Sequence, residues 1–276
     1  MSVTVIAHFR NEEILLPWWL KHHLLMFDHG ILIDHNSTDR SRQICAEFAP
    51  NWEVRQSKLR KFDAIDTDFE VMSVEASIAG WKVALNISEF MVAADLRGRL
   101  EAAESSGKMA IRSKGVIMVD RQKGIDLSPD LPLVEQKYFG YLEEGWRLSY
   151  AAGKHTRKTF RQRLLHRYSQ GAYQPGRHAT FRHVDEQATD IFTLWYGYSP
   201  WVDWYKLRKT SFGSQVSLED QKAGRGLQHL RDVAALDNVH RKLSRISYDL
   251  RAKLAEAVNP AGLPDAAGTS LPSVSL

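Results

Sequence analysis

The first ninety residues alternate between two hydrophobic patterns, and no other feature constrains the fold as much. Residues 3–9 (VTVIAHF), 29–34 (HGILID), 52–57 (WEVRQS) and 81–88 (WKVALNIS) are short apolar or β-branched runs with polar boundaries, which predicts four strands. Between the first two, EEILLPWWLKHHLLMF places Ile14, Leu15, Trp18, Trp19, Leu24 and Leu25 at helical spacing. Pro17 falls near the start of that helix, where its missing N–H costs little. RSRQICAEFA follows the capping residues of NSTD, and residues 63–79 form a third helix starting at Asp63 or Asp66. Connections this short predict an α/β fold, a mostly parallel sheet with helices on both faces. Such sheets bind ligands outside the carboxyl ends of their strands, near the switch in strand order. The four strand exits, HFRNEE, DHNSTD, QSKLRKFD and NISEF, are all polar and would open on one edge. A single polar exit reflects solvent alone; four rich in Asp, Asn, His and Arg mark a candidate site.

After residue 95 the alternation weakens. KMAIRSKGVIMV (108–119) reads as a strand or hairpin, and a Pro-containing loop, a basic block and the aromatic run DIFTLWYGYSPWVDWY follow. The expected organisation is one domain over 1–215, divided at 95/96 into a nucleotide-binding and an acceptor half. Charged helices follow over 216–258, and residues 259–276 have the composition of a disordered tail. Hydrophobic residues at 43% and charged residues at 25% suit a soluble globular chain, and no apolar stretch is long enough to span a membrane. MSVTVIAHFRNEE lacks the features of a signal peptide, and one cysteine, Cys45, allows no internal disulfide. The expected location is the cytoplasm, where the sequons at Asn36 and Asn86 would not be glycosylated.

The net charge of +4 is mild but unevenly spread. Residues 151–182 carry Lys154, Arg157, Lys158, Arg161, Arg163, Arg167, Arg177 and Arg182 with no acid. The block suits a diphosphate, an acidic membrane surface or nucleic acid, and equally a solvated helix face. It lacks the interleaved aromatics of a stacking platform, which argues against nucleic acid. The chain has no GxGxxG, no GxxxxGK[ST] and no GxSxG, which disfavours Rossmann dehydrogenases, P-loop NTPases and α/β-hydrolases.

DHNSTD (34–39) is the most informative short motif. Capping explains Ser37, Thr38 and Asp39, but not an acid, Asp34, at the last position of a buried strand. FRNEE followed by LLPWWLKHHLLMFDHGILIDHNSTDRS resembles the start of the family 2-like glycosyltransferases of GT-A fold. Residues 81–90 fall where that family has a Trp, an apolar strand and Asp-x-Asp-Glu-Phe. The resemblance covers about residues 3–95 and implies a GT-A-like (Rossmann-like) α/β sheet, here with a helical C-terminal extension. It also implies a nucleotide-sugar donor of UDP or GDP type, a glycan or lipid-linked acceptor, and a role in surface-polysaccharide assembly. His8 and Arg10, with Asn11 and Glu12 of the same motif, would flank the nucleotide, and Asp34 would contact the base. Asn36 and Asp39 would shape the loop beneath.

In the family two aspartates hold Mn²⁺ or Mg²⁺ against the diphosphate; here Asn86 and Ser88 replace them and Glu89 keeps the charge. Three options follow. Glu89 holds a metal with a distant group such as His229; the reaction is metal-independent, with Arg208, Lys209 and the basic block offsetting the diphosphate; or the chain is an inactive nucleotide- or glycan-binding relative. The second is placed ahead of the first. A nucleotidyltransferase is disfavoured by the missing Gly-rich loop. On the helix at 63–79, Asp63, Asp66, Glu70 and Glu75 form either an exposed acidic face or, at one position, a contact to ribose or sugar hydroxyls, with Asp63 the first candidate. Candidate proton acceptors for the attacking hydroxyl are Asp185, Glu186 and Asp203, with Glu219 and Asp220 behind them. His178, His183 and His229 read first as structural. The aromatic run 195–205 reads equally as core or as a sugar-stacking surface.

Overall fold

A computed structural model describes residues 1–121, 127–142, 148–149, 156–157, 161–226 and 230–258. The expected alternation is present: β1 (Val3–Phe9), α1 (Leu16–His23), β2 (His29–Asp34), α2 (Ser41–Phe48), β3 (Glu53–Gln56), α3 (Ala64–Glu75) and β4 (Trp81–Asn86). β3, β2, β1 and β4 lie side by side in that order, all parallel. Their registers align the strand ends: His8 sits opposite Asn86, Phe9 opposite Asp34, and Asp34 opposite Gln56.

Side-chain alternation splits the core between two faces. Val5, Ala7, Leu32, Val83 and Leu85 join Trp19 and Leu20 of α1 and Ile44 and Cys45 of α2. Ile6, Ile31, Ile33 and Ala84 meet Val71, Met72 and Val74 of α3 on the other face. The fold is therefore α/β with helices on both faces of a mixed sheet whose first four strands are parallel.

The polar step at Asn86 ends β4 only briefly. After Ile87 and Ser88 the chain resumes as β5 (Glu89–Val92), then forms α4 (Leu96–Ser105) and β6 (Ala110–Val119), one continuous strand where a hairpin was equally open. α5 (Leu133–Gln136) and β7 (Phe139–Leu142) follow, and β8 (Leu148–Ser149) and β9 (Thr156–Arg157) make a separate antiparallel pair. β10 (Leu164–His166) runs antiparallel between β4 and β6, so β6 points the same way as β4. The aromatic run builds β11 (Glu186–Tyr198), parallel to β6 and antiparallel to β5, and then α6 (Asp203–Ser211). β11 and α6 thus arrive at the carboxyl edge with the first four strands.

The C-terminal helices α7 (Leu218–Lys222), α8 (Val233–Ser244) and α9 (Arg251–Val258) belong to the same body. Leu243 of α8 packs on Ile117 and Val119, Leu254 of α9 enters the main core, and β12 (Tyr248–Asp249) pairs with β7. The tail at 259–276 lies outside the described residues.

Asp63 caps α3: its carboxylate accepts from the N–H groups of Ile65 (2.9 Å) and Asp66 (3.1 Å), and from Ser217 Oγ (2.9 Å). Burial alone would raise its pKa, but these bonds hold it below the ordinary value. Asp63→Ala is expected to lower stability by about 1–2 kcal/mol in urea denaturation. Asp66→Ala, at an exposed position with no cap of its own, should stay within about 0.5 kcal/mol of the parent.

Candidate functional site

The loops leaving β1 and β2 brace one another. Asn11 and Asn36 hold left-handed backbone (φ 50° and 57°), which asparagine tolerates better than most residues. Thr38 N–H donates to Asn11 Oδ1 (2.8 Å), and Asn11 N–H donates to Ser37 Oγ (3.0 Å). Asn36 donates to Leu59 O (3.1 Å) and accepts from Gln56 (3.1 Å). Asp39 accepts from the N–H groups of Glu13 and Ser41. Asp34, 1% exposed, accepts from Ser37 N–H (2.9 Å) and Arg42 Nη1 (3.0 Å). Each of its oxygens thus accepts one bond from within the protein, which anchors the carboxylate at the end of β2.

At the end of β1, His8 Nε2 lies 2.7 Å from Glu70 Oε2. Glu70 also accepts from Ser57 Oγ (2.7 Å) and Lys58 N–H (2.7 Å). Burial would raise the Glu70 pKa, but His8, Lys58 and Ser57 outweigh it and hold it at about 2. His8 is lowered by burial, which the Glu70 bond only partly offsets, so the imidazole is neutral at pH 7 and donates from Nε2. Arg10 donates to His35 O (2.7 Å) and has no carboxylate partner among the described residues.

A cluster of buried charges surrounds the exit of β4. Glu89 is 0% exposed and Arg163 1%. Arg163 Nε and Nη2 meet the two oxygens of Glu89 at 2.8 and 2.5 Å, and Asn86 N–H donates to Oε2 at 2.8 Å. Arg177 donates from Nη1 to Asp68 (2.5 Å) and from Nη2 to Asn86 Oδ1 (2.8 Å). Asp68 accepts in addition from Gly176 N–H (2.8 Å). Arg177 holds a positive φ of 62° after Gly176 at 92°, so the turn presents the guanidinium to α3 at some backbone strain. The basic block is therefore not a solvated helix face where it is described. Two of its arginines are buried counter-ions to Glu89 and Asp68.

The cation pair on α6 divides. Arg208 Nε donates to Glu12 Oε2 (2.7 Å) and its Nη2 to Oε1, so its charge is spent on a buried glutamate rather than left for a diphosphate. Lys209 has no such acid. Its Nζ lies 5.5, 5.2 and 5.7 Å from the ring centroids of Trp195, Tyr198 and Tyr205. The Arg161 guanidinium stacks on Trp195 at 3.6 Å. Burial first, then Arg208 and Arg161, pull the Lys209 amine down to about 7. Tyr196 and Tyr205 are buried in the core, and Trp195, Tyr198 and Tyr205 each have a cation over the ring.

Other expected residues go elsewhere. Asp185 accepts from Met109 and Ala110 N–H, and Glu186 pairs with Arg99 and Lys108. Both flank the first residue of β6, at the edge opposite the strand exits, so the structure does not bring them to the site. Asp203 is fully exposed on the first turn of α6, at the carboxyl edge. Asp220 is buried against Arg225 and Ala64 N–H, and Glu219 is exposed. His178 accepts from Arg161 at 2.9 Å, and His183 lies near Asp185. Glu75 is buried, bonded to Tyr173 Oη (2.5 Å), Gly171 N–H (2.7 Å) and His166 (3.2 Å). The acidic face of α3 is thus mostly turned inward, with Asp66 left exposed. His229, Lys154 and Lys158 lie outside the described residues, as does the Arg157 side chain.

Asp68, Arg163 and Arg177 were not singled out by the sequence as site residues. One signal was available: Asp68 and Glu75 fall in the same helical stripe as Val71 and Met72. An acid on an apolar stripe calls for a buried cation.

Mn²⁺ or Mg²⁺, which the resemblance implies, does not fit this exit. Both Glu89 oxygens face a guanidinium, Asn86 Oδ1 accepts from another, and the nearest group to either is a cation. Among the described residues no cluster of three or more His, Cys, Asp or Glu side chains is placed to hold a metal ion. No helix among them is long and apolar enough to cross a membrane.

No family model matches the chain, and no curated protein does. Solved structures do. S. aureus TarS 1–349 aligns at 16% identity and a TM-score of 0.34, over 46% of this chain and 39% of that one. The same protein in complex with UDP aligns at 15% and 0.32, over 50% and 45%. Glucosyl-3-phosphoglycerate synthase from Mycobacterium tuberculosis, in complex with Mn²⁺, UDP and glucosyl-3-phosphoglycerate, aligns at 15% and 0.30, over 41% and 44%. The chain therefore spans less than half of each relative, and likenesses at this level carry no argument about activity.

Proposed function

We propose that the chain is a glycosyltransferase that binds a nucleoside-diphosphate sugar across the carboxyl ends of β1, β2 and β4 and holds the diphosphate with its own cations. The observation that carries this reading is that Arg10 and Lys209 stand at this edge with no carboxylate partner among the described residues. Where the resemblance sets a metal-binding acid pair, Arg163 takes Glu89 and Arg177 takes Asn86. Arg10 and Lys209, at the same edge and with no carboxylate partner among the described residues, would take the diphosphate oxygens. Preorganised donors of this kind offset the charge that develops on a departing diphosphate without reorganising during the reaction. His8, its ring anchored on Glu70, would flank the nucleoside, and Asp203, exposed at the start of α6, would accept the proton of an attacking hydroxyl. A glycan or lipid-linked acceptor and a role in surface-polysaccharide assembly belong to the same proposal.

Calorimetric titration with UDP, GDP, ADP and CDP tests the donor site. One or two should bind with micromolar affinity and the remainder much more weakly. No heat from any of the four, or equal weak binding of all, would remove the reading. Binding without turnover of any nucleotide sugar would favour the non-catalytic relative instead.

A further inference from the structure

Helix α6 turns its two sides to different surroundings. Tyr205 is buried and Arg208 reaches inward to Glu12, while Asp203 and Leu207, one turn apart, stand on the outer side. A 3-10 turn (Phe212–Gln215) continues the helix towards α7, and the outer side runs on through the exposed Ser211, Ser214 and Leu218. Leu207 is 68% exposed and Leu218 66%. Basic segments flank this strip on both sides. On one, the loop leaving β3 exposes Lys58, Arg60 and Lys61 with no acid among them, and Lys61 Nζ donates to Ser214 O (2.9 Å). On the other, α8 is held to α6 by the ion pair of Asp237 with Lys206 (2.9 Å), and its His240 stacks on Trp201, just before α6. Past Asp237, α8 and the residue after it expose Arg241, Lys242 and Arg245 and no acid. Leu230 and Val233, where α8 begins, are exposed as well.

Single exposed leucines are common on protein surfaces, but these share a strip with Asp203 between two acid-free basic segments. The six flanking cations outnumber the exposed acids Asp203, Glu219 and Asp232, the last of which caps α8. Long cationic side chains around a few apolar anchors suit the headgroup layer of an anionic bilayer, whereas interfaces with proteins are depleted in lysine. We propose that the outer face of α6, α7 and α8 docks on an anionic lipid bilayer. Leu207 and Leu218 enter the headgroup boundary, and the flanking cations meet the lipid phosphates. The inference rests on the proposed transferase reading for its purpose and adds a partner surface to it. Asp203 shares the docked face with Leu207, so a hydroxyl carried at the membrane surface would arrive on the side of the site where Asp203 would take its proton.

The test is co-sedimentation of the full chain with vesicles of phosphatidylcholine alone and of equal parts phosphatidylglycerol and phosphatidylcholine, beside solution titration with UDP, GDP, ADP and CDP. The parent is expected to bind the mixed vesicles, to leave the neutral ones largely free, and to dissociate as salt is raised. Leu207→Ser/Leu218→Ser should bind the mixed vesicles at least tenfold more weakly. Arg241→Gln/Lys242→Gln should lose about fivefold for each charge removed. Nucleotide affinity in solution should stay parental in both. Melting curves report whether the variants fold, and the charge variant carries the test if the leucine variant does not. No binding by the parent, equal binding to both vesicle types, or equal binding by parent and folded variants overturns the proposal. So does a parent dimer that the leucine substitutions disperse, because a second copy would then cover the strip. Nucleotide binding without vesicle binding leaves the donor site intact; vesicle binding without any nucleotide binding removes the donor site and leaves the docking surface.

Discussion

Arg163→Met is expected to destabilise the protein by about 3–5 kcal/mol, enough to unfold a chain of ordinary stability at moderate temperature. The substitution leaves the Glu89 carboxylate fully buried with one backbone N–H for company, in a place water does not reach. That cost is one of abandonment and differs from the net worth of the pair, because desolvating both ions offsets most of their attraction. The double variant Arg163→Met/Glu89→Leu should therefore recover most of the loss. Urea denaturation of the four proteins in this cycle measures it. A single variant that melts within 1 kcal/mol of the parent would mean the pair is solvated and the account of this exit is wrong. Glu89→Gln should lose less than Arg163→Met, since an amide still accepts from the guanidinium and from Asn86 N–H.

Arg177→Met is expected to cost a similar amount, about 3–5 kcal/mol, for a related reason. Asp68 is 4% exposed and loses its guanidinium, keeping only the Gly176 N–H bond. A second effect distinguishes it from Arg163→Met. Arg177 also fixes the Asn86 side chain, so its loss frees an amide at the site itself. Nucleotide affinity should drop along with stability, and the drop should persist at temperatures where the variant is fully folded. Asp68→Asn should be milder in stability and leave affinity near the parental value. Unchanged affinity in folded Arg177→Met would remove Arg177 from the donor site and leave it a structural residue.

The sheet was legible in the sequence because its four parallel strands are short, apolar and punctuated by polar exits, and β1 and β2 run over the residues their patterns predict. The break at Asn86 was legible as well. Its continuation into β5 was not, because Glu89 and Phe90 look like a strand exit until Arg163 neutralises the acid. The site was half readable. Loop residues such as Asn36 and Asp39 sit where local motifs put them, since their bonds reach only to adjacent loops. The long-range pairs were hidden: Glu89 with Arg163, Asp68 with Arg177 and Glu12 with Arg208 join residues 74 to 196 positions apart. A run of arginines announces its charge but not which of them will be buried. Arg208 and Lys209 are neighbours in sequence, yet one pairs with an acid and the other is caged by aromatic rings, because adjacent helical positions face different surroundings.

If the protein's own cations, rather than a divalent ion, hold the diphosphate, nucleotide binding needs no metal. Titration of the best-binding nucleoside diphosphate into metal-stripped protein in EDTA, and again in millimolar Mn²⁺ or Mg²⁺, tests it most directly. Dissociation constants are expected within about threefold of each other in all three conditions, with Arg10→Ala weakening binding at least tenfold in each. Binding that appears only when Mn²⁺ or Mg²⁺ is added, and that is indifferent to Arg10 and Lys209, would contradict it.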